Sequence, residues 1–191
     1  MADGLDRMWA GWRGEYVAGI GEAPVGGCPL CGAIDPTGPQ AGWIIHRGEL
    51  ATVILNAFPY NNGHLLVLVN RHVAGLDAVT EEEAAELWRL VRTAHRAILA
   101  AYEPDGANIG ANLGTAAGAG VPDHLHLHVL PRWAADTSFV TSVAGMRVLP
   151  ETLDSAAARL RAAWPADTDA DTDTDTDADI AAGVPGEAEG P

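Results

Sequence analysis

The chain has 191 residues, 48% of them hydrophobic, and a formal net charge of −15. That length and apolar content suffice for one domain with a core. Nine of the 26 acids lie beyond Arg161 with no base among them, leaving 17 acids against 11 bases in the body; with no basic patch, nucleic acid is not an expected partner, and a small anion would have to be held by local dipoles.

The first residues, Met1 to Arg7, contain no apolar signal core, and no apolar run approaches membrane length. A cytoplasmic chain with no membrane partner is expected. Cys28 and Cys31 are too close to staple a fold and suit a reducing compartment.

Residues 1–27 form an N-terminal arm and loop, with Leu5, Met8, Trp9, Trp12, Tyr16, Val17 and Ile20 in a partly helical, aromatic-rich stretch expected to pack on the body. Residues 21–42 are rich in Gly and Pro and read as loop. Trp43–His46 and Ala51–Leu55 read as a hairpin around Arg47-Gly48-Glu49. A turn-rich connection, Asn56 to Gly63, leads into a strongly apolar strand, His64–Val69. Thr80 to about Ala101 is the one long helix: Thr80 and Glu83 make a capping box, Leu87, Val91, Ala94 and Ile98 form a buried stripe, and Pro104-Asp105-Gly106 stops it. His95 reads as an ordinary helix histidine.

Ala107–Leu113 reads as a fourth strand, followed by a glycine-rich loop from Gly114 to Gly120. Next comes His124-Leu125-His126-Leu127-His128-Val129-Leu130, whose alternation has the period of a strand. Three imidazoles would face one side and Leu125, Leu127 and Val129 a core on the other. Leu153 to Trp164 reads as a C-terminal helix, and residues 165–191 as a disordered acidic tail. The body, 28–164, is expected to be α+β, with a mainly antiparallel sheet of about five strands, one long helix and a C-terminal helix.

Three features carry chemistry. The Gly114–Gly120 loop can bring backbone N–H groups close to a phosphate; it is neither a Walker loop nor a dinucleotide fingerprint, since no Gly-Lys-Ser/Thr follows and the next element is a strand. Cys28-x-x-Cys31 has zinc-knuckle spacing but needs two further ligands, for which His72 and His124 are the candidates; free thiols or a redox pair are the other readings. The histidine strand could supply a nucleophilic imidazole that attacks an α-phosphorus, with neighbouring imidazoles donating to phosphoryl oxygens. Alternatively all three histidines could bind one catalytic metal.

The His-φ-His-φ-His-φ-φ pattern from His124 to Leu130 resembles the signature of the histidine triad (HIT) superfamily of nucleotidyl hydrolases and transferases. Asn56–Val69 resembles that family's upstream strand with its Gly-His, and Asn112-Leu113-Gly114 through Gly120 its phosphate loop. Within the superfamily, Trp9 to Arg13, Asn56 to His64, and Pro131-Arg132-Trp133 followed by Asp136-Thr137-Ser138-Phe139 look most like the diadenosine tetraphosphate phosphorylase branch. The resemblance implies the HIT fold and cleavage of dinucleoside polyphosphates through a covalent AMP-histidine intermediate.

It makes His126 the nucleophile, places His128 at the α-phosphate and leaving group, and has His64 complete an imidazole relay. Asn56 would hold the ribose, and Asn112 with the Gly118, Ala119, Gly120 and Val121 backbone the phosphates. It puts a structural zinc on Cys28, Cys31, His72 and His124, with no organic cofactor, and implies a homodimer that binds an adenosine nucleotide or dinucleoside polyphosphate. The chain departs from the pattern at Gly120-Val121, where many members carry Gln-Ser or Gln-Thr, and at Ser138, where the branch carries Asn. Phosphate is the favoured acceptor; the alternatives are a HIT-type hydrolase of adenylylated small molecules or dinucleoside polyphosphates with water as acceptor, and a nucleotide-binding module with vestigial catalysis.

Overall fold

The computed structural model describes residues 27–134, 136 and 151–166. The N-terminal arm, the post-triad residues Thr137 to Phe139 and nearly all of the acidic tail lie outside the described residues. Five strands, β1 (Ile44–Arg47), β2 (Ala51–Leu55), β3 (Leu65–Val69), β4 (Gly106–Gly110) and β5 (His126–Arg132), form one sheet in the order β1-β2-β3-β5-β4, every neighbouring pair antiparallel. Helices α1 (Pro29–Ala33), α2 (Glu81–Tyr102) and α3 (Leu153–Ala162) complete the α+β fold.

Alternation along β5 divides the molecule. Leu127 and Val129, with Val53, Leu55, Leu65 and Val67 of the paired strands, point into a core closed by Leu87, Leu90, Val91, Ala94 and Ile98 of α2 and Ala156, Ala157 and Leu160 of α3. Each buried aliphatic side chain of this kind contributes about 1.5–3 kcal/mol. The opposite face carries Ile54, Leu66 and Leu68, covered by Leu30, Ala33 and Ile34. Both faces of β2 and β3 are therefore covered, which is why these strands are apolar throughout except at Thr52, whose hydroxyl donates to Asn70 Oδ1 at 2.5 Å.

The long helix begins as expected. Thr80 Oγ1 accepts from the Glu83 N–H at 3.2 Å, and Glu83 returns a bond to the Thr80 N–H at 2.9 Å. Glu83 also takes two bonds from Arg71, at 3.0 and 2.8 Å, so a buried carboxylate is fully paired. Glu103, in the left-handed region at φ 46°, ends the helix just before Pro104.

Three expectations are corrected. Residues 21–42 are not all loop: Pro29 pre-sets the first turn of α1, which Leu30 and Ala33 hold by burial. The fourth strand ends at Gly110, leaving Asn112 in the loop beyond. His124 lies ahead of β5 rather than in it; its ring is drawn to the Val69 carbonyl and the following Leu125 N–H to the Val73 carbonyl, 2.6 Å away.

Candidate active site and metal centre

His126 and His128 stand on the face of β5 away from the large core. His128 lies opposite Leu66 on β3 and Gly110 on β4. His64, fully buried, immediately precedes β3 at the end of the Asn56–Gly63 turn. That turn depends on Gly63, whose φ is +72° and whose missing Cβ would come within 2.6 Å of the Tyr102 ring.

The proton positions follow from the partners. His126 Nδ1 is 2.7 Å from the His124 carbonyl, which can only accept, so Nδ1 carries the proton and Nε2 keeps its lone pair. His64 Nδ1 accepts from the Tyr60 N–H at 3.0 Å and faces the Asn56 amide nitrogen at 3.2 Å. His64 must then donate from Nε2 to His128 Nδ1, 2.9 Å away. His128 in turn carries its proton on Nε2, a buried atom with no hydrogen-bond partner among the described residues. An orphaned buried donor of this kind costs about 1–3 kcal/mol unless a ligand satisfies it. Burial, and then the nearby His126 ring, push the His128 pKa down to about 4. The ring is therefore neutral near pH 7 and acts as a donor rather than as a cation.

The three rings are packed together: His64 and His128 centroids are 5.1 Å apart, and so are His126 and His128. Asn56 spends its oxygen on the Phe58 N–H at 3.0 Å and one amide proton on His64, which leaves one proton and one lone pair for a ligand. The glycine loop turns through Gly114 and Gly118, at φ +77° and +86°. The N–H groups of Gly118 and Ala119 already bond the Thr115 and Gly114 carbonyls, at 2.9 and 3.3 Å. Those of Gly120 and Val121 make no hydrogen bond among the described residues. Val121 packs on the Leu66–Leu68 cluster, which puts the loop on the same face of the sheet as His126 and His128. Asn112 is half-buried ahead of the loop.

A second constellation lies beside the first. The ligand atoms of Cys28, Cys31, His72 and His124 all fall within 4.8 Å of one another. Cys28 Sγ and Cys31 Sγ are each 3.5 Å from His124 Nδ1, and Cys31 Sγ is 3.4 Å from His72 Nδ1. A tetrahedron with metal–sulfur bonds of about 2.3 Å and metal–nitrogen bonds of about 2.0 Å has S···N edges of about 3.5 Å. His124 donates from Nε2 to the Val69 carbonyl at 2.9 Å, which turns the Nδ1 lone pair toward the thiols. These four residues could hold a metal, and the donor set is one that zinc favours. The reading in which all three triad histidines share one metal is corrected: only His124 belongs to the cluster, because its ring turns toward α1 while His126 turns back on the His124 peptide.

Among known proteins, the HIT domain model matches residues 40–135. The AP-4-A phosphorylase of Mycobacterium tuberculosis is 38% identical over 170 residues, covering 85% of this chain and 86% of that one. This chain belongs to the HIT-domain family. A second relative, the asymmetrical bis(5'-nucleosyl)-tetraphosphatase of Schizosaccharomyces pombe, is 35% identical over 100 residues, covering 52% of this chain and 54% of its own. Among solved structures, a Zn-bound histidine triad family protein from Mycobacterium smegmatis superposes with a TM-score of 0.59 at 31% identity, covering 71% of this chain and 91% of that chain.

The HIT sequence pattern did not mark Tyr60 as part of the site. Its N–H fixes the His64 tautomer, and its ring lies 4.7 Å from His64 and 5.9 Å from His128. Tyr60 shares its turn-rich segment with a second aromatic, the exposed Phe58, so nothing in the local sequence singles it out. No helix of this HIT chain among the described residues is long and apolar enough to cross a membrane.

Proposed function

We propose that the chain cleaves dinucleoside polyphosphates of the diadenosine tetraphosphate type by nucleotidyl transfer through His126. The observation that carries this reading is the bond from His126 Nδ1 to the His124 carbonyl, which leaves Nε2 unprotonated on the face of the sheet that bears the glycine loop. His126 Nε2 attacks the α-phosphorus. A P–N bond forms, the bond from phosphorus to the bridging oxygen breaks, and ATP departs. The His128 Nε2–H, held outward by the His64 bond, donates to the departing or phosphoryl oxygen. Asn56 holds the ribose, and Asn112 with the Gly120 and Val121 amides the phosphates. A second displacement at phosphorus by inorganic phosphate releases ADP and restores the neutral imidazole.

Phosphate is the favoured acceptor because of the likeness to the mycobacterial phosphorylase. The likeness to the yeast tetraphosphatase supports water as the alternative, with AMP as the second product. Cys28, Cys31, His72 and His124 hold a structural zinc that ties α1 to the sheet and takes no part in the transfer.

The test is incubation with diadenosine tetraphosphate, with and without phosphate. ATP plus ADP only in the presence of phosphate supports phosphorolysis, and ATP plus AMP in both supports hydrolysis. Failure to turn over any adenylylated substrate rejects the reading.

A further inference from the structure

The ladder between β3 and β5 runs from Leu68 opposite His126 to Leu65 opposite Val129 and stops there. His64 therefore sits one residue beyond the last pair, and strand pairing does not set its distance from His128. Side chains continue the connection. The His64 N–H donates to the Asn61 carbonyl at 3.3 Å. The buried Asn61 amide nitrogen spends both protons on the exit of β5, one on the Pro131 carbonyl at 3.3 Å and one on Asp136 Oδ2 at 3.0 Å.

Asp136 is itself fixed. It accepts from Arg132 Nε at 2.5 Å, from a terminal nitrogen of the same guanidinium at 3.0 Å, and from the Trp133 N–H at 3.4 Å. The guanidinium holds the carboxyl well below the usual carboxylate range. The other terminal nitrogen of Arg132 reaches Asn108 Oδ1 on β4 at 2.7 Å. Three strands are thus joined at the end where the imidazole relay lies.

We propose that Asn61 and Asp136 are positioning residues that set the His64–His128 hydrogen bond for nucleotidyl transfer. The proposal rests on the reaction read above. Position 61 requires a side chain that donates twice and carries no charge, which an aspartate or an aliphatic residue does not provide. Asn61 also adjoins Tyr60, whose amide holds the other nitrogen of His64, so slack at Asn61 loosens both ends of the His64 ring. A misplacement of about 1 Å at such a contact costs roughly 100-fold in rate.

The experiment compares the full chain with Asn61→Ala and Asp136→Asn, the second nearly isosteric. Turnover of diadenosine tetraphosphate is followed alongside the imidazole N–H and nitrogen resonances of His64 and His128. In both variants, kcat is expected to fall roughly 10- to 100-fold with KM within about threefold, and the exchange-protected His64 Nε2–H signal to disappear. An Arg159→Ala control breaks the Arg159–Glu151 bridge, 3.0 Å long and without contact to the relay, and should leave that signal in place. An unchanged signal, an unchanged kcat with the signal lost, or loss of fold in both variants would overturn the proposal. If the parent chain turns over no substrate, the functional reading fails while the imidazole signal still decides the clamp.

Discussion

His64 Nε2 lies 2.9 Å from His128 Nδ1, and the groups around His64 allow only one direction for the proton between them. Because the Tyr60 N–H occupies His64 Nδ1, His64 donates and His128 presents its own N–H to the site. His126 is fixed in the opposite sense by the His124 carbonyl. One face of the sheet therefore offers an unprotonated nitrogen and an N–H donor side by side.

Replacing His126 by Ala should remove the covalent intermediate altogether. Turnover of diadenosine tetraphosphate should fall by about 10⁴-fold or more. Brief exposure of the parent chain to labelled substrate should leave acid-labile AMP on the protein, and the variant should leave none. Mass spectrometry of the quenched protein checks this.

The pH dependence of stability should carry the mark of His128. Its folded pKa of about 4 lies below the ordinary histidine value of 6.5, so between these values the unfolded chain binds more protons than the folded one. The contribution is complete above about pH 6.5 and is lost as the pH falls toward 4. Burial also lowers His124, which titrates in the same direction, so a single curve does not separate them. Urea midpoints measured from pH 7.5 to 4.5 should fall less steeply in His128→Asn than in the parent.

Metal removal should act on the fold and on catalysis together. Cys28→Ser, or a strong chelator, should abolish stoichiometric zinc binding. A ligand at a thousandfold over its dissociation constant adds about 4 kcal/mol, so the melting temperature should drop by roughly 10 °C. Zinc content by elemental analysis and a thermal melt provide the check. Activity lost without any change in the melt would instead make the metal catalytic.

Gly63→Ala should destabilise the chain by about 2–4 kcal/mol, because the position combines a left-handed φ with contact against Tyr102. Gly42→Ala, where an added Cβ meets nothing within 4 Å, should stay within about 0.5–1 kcal/mol. Denaturant melts of the two variants measure the difference.

Much of this site was legible because its signals are local. The alternation from His124 to Leu130 announces which residues face the core, and Leu125, Leu127 and Val129 are indeed buried there. Thr80 and Glu83 are three residues apart, and the capping box needs nothing more. Pairings over long separations were less accessible. Cys28 meets His124 across 96 residues, a grouping that rests on the family resemblance rather than on spacing alone, whereas Asn61 meets Asp136 across 75 with no sequence signal for it. The short α1 was read as loop because a five-residue helix has little stability of its own and forms only where Leu30 and Ala33 are buried.

Gly110 stands directly across from His128 on the edge strand, and an added Cβ there would touch no other atom within 4 Å. Opposed side chains on one face of such a pair sit about 4.5–5.5 Å apart. This position is therefore a vacant address beside the His128 imidazole, where a cysteine carrying a small fluorinated label could be installed without bending the backbone. In the proposed reaction such a label would report, turnover by turnover, when AMP arrives on and leaves His126, whose ring lies 5.1 Å from that of His128.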